Sequence, residues 1–251
     1  VYVLIENFIF GQKSPGMNRI IIILIFLTFT VGAFAQFSVS EAEVTLQSRH
    51  IWRGAKLGDA PAIEPSVTVS RGNFSFNVWA AKTLNKSYSE VDLVPSYQIG
   101  ELTFSLFDYY VPETGEKNRY LNFKEGESRH SVEFTLDNYS GEKSHLKWML
   151  GTFIAGDKNE ETGNPFFSTY IEFKYPLSFW GVAAEPFVGL TPFKGYYADK
   201  FAFVNSGLAL SKEVKLLSKL ACPLNLTYTY NPYTENHFVT FGFGLALSSE
   251  E

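Results

Sequence analysis

Only one cysteine, Cys222, occurs in 251 residues. A single thiol makes no internal disulfide and no thiolate metal cluster, so nothing staples this fold covalently. The four histidines, His50, His130, His145 and His237, are scattered without metal-ligand spacing. No metal and no cofactor are expected. Charge is scarce as well. Asp, Glu, Lys and Arg make up 19% of the chain, below the usual ~25%. The net charge of -5 speaks against a nucleic-acid partner. Long apolar runs are missing beyond residue 31, which excludes helical membrane spans from there on. Neither a G-x-S-x-G stretch nor a Gly-rich phosphate loop is present, since Phe241-Gly242-Phe243-Gly244 lies in a strand pattern. No enzyme is expected.

Aromatic residues, by contrast, supply 17% of the chain, mostly as Phe and Tyr. Many aromatics with few charges suit a wall that is apolar on one side and polar on the other.

Residues 17–35 carry the three parts of a secretory signal. Arg19 is the positive residue, residues 20–31 are apolar, and Ala33-Phe34-Ala35 sets small residues where a signal peptidase needs them. The apolar run is shorter than the ~20 residues of a spanning helix. Residues 1–16, upstream of Met17, read as translated leader outside the native protein. The domain organisation expected is therefore leader 1–16, signal peptide 17–35 and one body, 36–251.

That body alternates with period two. Val132, Phe134 and Leu136 share one face of their segment while Ser131, Glu133, Thr135 and Asp137 share the other. The same pattern recurs around Ile171-Glu172-Phe173-Lys174 and in 224–230. Counting such runs predicts about twelve strands, at 42–54, 61–71, 74–84, 89–99, 102–112, 127–139, 146–156, 166–177, 181–192, 201–213, 222–232 and 237–248. Each is near the ~9–11 residues that cross a bilayer when tilted. Short connections such as Arg71-Gly72-Asn73 trade places with longer polar ones at 112–126 and 156–165, as periplasmic turns and outer loops do. The fold expected is all-β: a closed antiparallel up-and-down transmembrane barrel in a Gram-negative outer membrane. A soluble sandwich gives the same periodicity. Recurrent aromatics near strand ends (Trp52, Trp79, Tyr88, Tyr109, Tyr110, Trp148, Phe179, Trp180, Tyr196, Tyr197), read as interfacial girdles, favour the membrane.

Placing the apolar face on lipid sends the polar face inward. The pore-lining candidates are Glu43, Gln47, Arg49, Arg53, Glu64, Asp92, Glu133, Asp137, Glu172, Lys174 and Glu185. These groups line a narrow channel for small polar solutes or plug a tube through paired charges. The last strand resembles the C-terminal assembly signal of outer-membrane proteins, which implies the barrel-assembly machinery and membrane lipids as partners. It lacks the terminal aromatic.

Ser48-Arg49-His50-Ile51-Trp52-Arg53-Gly54, Pro61-Ala62, Glu90-Val91-Asp92-Leu93, Tyr97 and Asp108-Tyr109-Tyr110-Val111-Pro112 together resemble the TorF-like family of putative porins, of the Gcw_chp type, over roughly residues 43–140. His50 and Trp52 depart from the family's Tyr and Phe. The resemblance implies an outer-membrane barrel and a porin label but no substrate. Gly54 suits a positive φ at a strand end, and Arg53 is expected to pair with Glu90 or Asp92. Two rival functions remain open. One is a lipid-acting barrel enzyme using Ser128 and His130, which share a face. The other is an adhesive barrel acting through its long loops.

Overall fold

The computed structural model describes residues 37–248 apart from 116, 125–126, 142 and 160–161. The expected leader and signal peptide lie outside the described residues. The described residues from Val39 onward form one unit, the barrel.

Twelve antiparallel strands close on themselves. The wall runs from β1 (Ser38–Gln47) to β4 (Ala62–Arg71), β5 (Phe74–Thr83), β6 (Ser89–Ile99), β7 (Leu102–Tyr110), β8 (His130–Asp137), β9 (Lys147–Ala155) and β10 (Thr169–Lys174). A short β11 (Leu177–Phe179) continues the line of β10 beyond Tyr175-Pro176. The wall then passes through β12 (Val182–Thr191), β13 (Ala202–Leu217), β14 (Leu220–Asn231) and β15 (Asn236–Ser248). Pairing of β15 with β1 joins last strand to first, and β10 pairs with both β9 and β12. Closure leaves no long strand edge with unpaired backbone.

Period-two sequence explains the wall's two faces. Val44, Val67, Phe134, Leu150, Phe173, Leu208, Leu226 and Phe241 point outward and are exposed, while Glu133, Thr135, Glu172, Asn205, Thr229 and Thr240 point inward and are buried. Register carries each inward set from strand to strand: Trp79 opposite Asp92, Asp92 opposite Tyr109, Thr135 opposite Gly151. The interior is thus polar, and the exterior carries the oily side chains.

The first strand corrects the expectation. It ends at Gln47, not near residue 54, and a two-stranded hairpin follows, β2 (Ile51–Trp52) and β3 (Ala55–Lys56). Its turn is Arg53-Gly54, with φ of 47° and 80°. Two left-handed residues in a two-residue loop match the twist of the flanking strands, the geometry of a type I′ turn. The hairpin folds into the barrel. Asn231 donates its Nδ2 to the Gly54 carbonyl at 3.2 Å, and a Cβ on Gly54 would stand 2.0 Å from the Val204 carbonyl oxygen. Only glycine fits a left-handed position so close to another backbone.

Candidate functional site

Inward side chains meet the hairpin in the lumen. Arg53 reaches across it to Glu133 on β8, donating from Nη1 at 2.6 Å and Nη2 at 2.8 Å. Such a two-pronged pair fixes direction as well as charge. Glu133 has no solvent exposure and takes a further hydrogen bond from the Tyr109 hydroxyl at 2.8 Å. Arg53 also touches the Tyr197 hydroxyl and lies 4.6 Å from the ring centres of both Trp52 and Tyr170. Gly151 makes room: a Cβ there would meet Glu133 Oε1 at 2.5 Å. The expected pairing of Arg53 with Glu90 or Asp92 is therefore corrected to Glu133. The hairpin, folding across the lumen, brings its turn residue to the far wall.

Glu90 serves a different partner. It accepts from the Tyr88 hydroxyl at 2.8 Å, and its Oε2 lies 3.7 Å from His50 Nε2. His50 Nδ1 sits 2.9 Å from Glu64 Oε1, and the imidazole stacks on Tyr88 and tilts over Trp79. Burial pushes the phenols of Tyr88 and Tyr197 above their ordinary range, which keeps their protons in place. Across the lumen Glu172 accepts from Tyr139, Tyr170 and Asn205, at 2.8, 2.6 and 3.1 Å. Lys174 bridges Glu172 and Glu185, at 3.3 and 3.4 Å.

Three cavities lie around these groups. A mouth of about 390 Å³ is bounded by Trp52, Tyr88, Tyr109, Phe153 and Tyr196, on the side of the long loops. It shares Trp52, Glu90 and Tyr109 with a middle chamber of about 450 Å³. A third space of about 510 Å³ extends toward the short turns, and Trp79 walls both it and the middle chamber. Glu43, Gln47, Glu64 and Glu185 face the third space, and Arg53, Asp92, Asp137, Glu172 and Lys174 face the middle one. Glu133 lies against Arg53. Arg49 departs from expectation: it follows the end of β1, is exposed, and lines none of these spaces. Sequence reasoning left His50 and Glu90 out of the lining, although Glu90 shares its strand face with Asp92. It also assigned Trp52, Trp79, Tyr109 and Tyr197 to the outer girdles, whereas they stand inside.

His130 belongs to the outer wall. By register it faces the same side as the exposed Phe134, yet it is buried, because the connection after β7 folds back over it. Its ring lies 4.4 Å from Phe123 and 5.0 Å from Tyr120, centre to centre. Nδ1 contacts Asp108 at 2.7 Å and Nε2 contacts the Tyr120 carbonyl at 2.6 Å. Ser128 Oγ accepts from the His130 backbone N–H at 3.2 Å. Both ring nitrogens are thus engaged away from Ser128, and the pair lacks the nucleophile–base arrangement of a hydrolase.

No known family matches this sequence, and no curated protein does. Among solved structures, a KdgM porin in complex with disordered oligogalacturonate aligns with a TM-score of 0.48 at 8% identity, over 85% of this chain and 100% of that one. A chain from work on the in-meso crystallization of membrane proteins aligns with a TM-score of 0.48 at 10% identity, over 85% of each.

Proposed function

We propose that this chain is an outer-membrane channel through which small polar solutes pass, narrowed by its own inward hairpin. One observation carries the reading: cavities that share lining residues run inside a closed barrel whose exterior is apolar. A soluble protein rarely exposes an apolar surface of more than a few hundred Å². Here apolar side chains project from strands all round the wall, as lipid contact requires. Inward charges avoid lipid, where an Arg or Lys at mid-depth costs ~2–4 kcal/mol. A barrel of this strand number stands between filled eight-stranded barrels and open sixteen-stranded porins, which agrees with a lumen divided by Arg53 and Trp52.

The residues proposed to meet the solute are Arg53, Glu64, Asp92, Asp137, Glu172, Lys174 and, toward the short turns, Glu43, Gln47 and Glu185. Kinship with the TorF-like porins stays part of this proposal and rests on the Ser48–Gly54 and Glu90–Leu93 stretches. So do residence in the outer membrane and delivery by the barrel-assembly machinery. Acids outnumber bases among the inward groups, so a polyanion such as oligogalacturonate is disfavoured here.

Planar-bilayer recording of the refolded protein tests the reading. Discrete conductance steps are expected, and their absence at every voltage and salt concentration removes the channel.

A further inference from the structure

In the middle chamber the charges are settled unequally. Arg53 is held by Glu133, Lys174 by Glu172 and Glu185, and Glu90 by Tyr88 with His50 close by. Asp137 accepts from the Tyr139 backbone N–H at 2.9 Å. Asp92 is different. It is 7% exposed, its Oδ1 is fully buried, and among the described residues it has no hydrogen-bond donor and no ion-pair partner. Thr135 Oγ1, on the same chamber, is likewise buried without a partner.

An ionised carboxylate left unpaired in such a place costs several kcal/mol unless it takes a proton or a cation meets it. What stands beside Asp92 indicates the kind of cation. In register, Trp79 flanks it on one neighbouring strand and Tyr109 on the other, and Phe107 lines the same chamber. Aromatic faces attract ammonium groups that have shed part of their water, and Trp does so best. Among the described residues no three His, Cys, Asp or Glu side chains converge as metal ligands, so the setting suits a carbon-bearing ammonium better than a bare metal ion.

We infer that the pocket formed by Trp79, Asp92 and Tyr109 binds a small organic ammonium ion, making amine-bearing solutes the class this lumen takes. The inference rests on the channel reading and names its solute. Asp92 supplies the counter-charge, and the flanking rings supply cation–π contact and select against hydrated potassium. Passage toward the third cavity follows the Trp79 indole, which borders both spaces.

Choline chloride is the probe, titrated into folded barrel in detergent and followed by calorimetry and tryptophan fluorescence at constant ionic strength. Saturable binding is expected, weakened about tenfold or more by Asp92→Asn. Trp79→Leu should weaken it several-fold, and galacturonate should give no saturable signal. A heat-dependent gel shift establishes that each variant is folded. Should Asp92→Asn not fold, Trp79→Leu carries the test alone. Absence of saturation in the parent protein, or equal affinity in folded variants, overturns the inference. Conductance is recorded on the same preparation. A conducting protein that ignores choline sinks the ammonium site alone, and a protein that binds choline but never conducts sinks the channel alone.

Discussion

Arg53 is the residue on which the lumen's geometry turns. Its backbone is left-handed, with φ of 47°, a conformation that costs a non-glycine residue about 1–3 kcal/mol. The bidentate contact with Glu133 and the aromatic faces around the guanidinium offset that strain. Removing one partner of a buried pair costs about 3–5 kcal/mol, because the other charge is left uncompensated. Arg53→Ala should therefore lower the unfolding midpoint in urea and raise single-channel conductance, since the side chain that spans the lumen is gone. Adding Glu133→Gln to it should recover much of the lost stability while the conductance stays high. Stability loss that is simply additive in the double variant would show that the pair is not coupled.

The hairpin is the element that narrows the tube, and Gly54 lets it dock. Gly54→Val places a branched side chain where a Cβ already meets the Val204 carbonyl. The hairpin should then leave the wall and conductance should rise, whereas the same change at Gly72, where nothing lies within 4 Å, should not alter conductance. On the outside, His130 ties the long connection after β7 to the wall, with Nε2 on the Tyr120 carbonyl of that connection and Nδ1 on Asp108 of β7. His130→Ala forfeits both, about 1–3 kcal/mol, so limited trypsin digestion of intact barrels should cut at Lys117, Arg119 and Lys124 about tenfold faster. The wall strands were legible because alternation is local: β4, β5 and β6 lie within a residue or two of their expected bounds. The hairpin was not, because Ser48 to Arg53 holds no glycine or proline to mark a break and so reads as more of β1. The break after Gln47 and the turn at Arg53-Gly54 go unmarked, because an Arg in the left-handed position hides the turn. The pairing of Arg53 with Glu133, eighty residues away, and the inward turn of Trp52 and Trp79 depend on how the barrel closes, which no local pattern reports.

At the scale of the whole molecule, charge is sorted by face. Glu43, Glu64 and Glu185 line the cavity nearest the short turns with no Lys or Arg on it, and Arg53 and Lys174 in the middle chamber are already held by acids. A lumen lined mainly by one sign concentrates the opposite ion, and low-dielectric walls strengthen the effect. Under a potassium chloride gradient the reversal potential should therefore report cation preference. That preference should weaken with rising salt as the Debye length falls from ~10 Å at 0.1 M to ~3 Å at 1 M. It should also fade on acidification, because protonating carboxylates removes the excess negative charge while Arg53 and Lys174 keep theirs. Paired substitution of Glu43 and Glu185, both on the cavity nearest the short turns, by Gln should reduce cation preference without opening the hairpin. A reversal potential of the anionic sign in dilute salt at neutral pH would mean that the acids facing the lumen are not ionised there, and the ammonium site would fall with the cation preference.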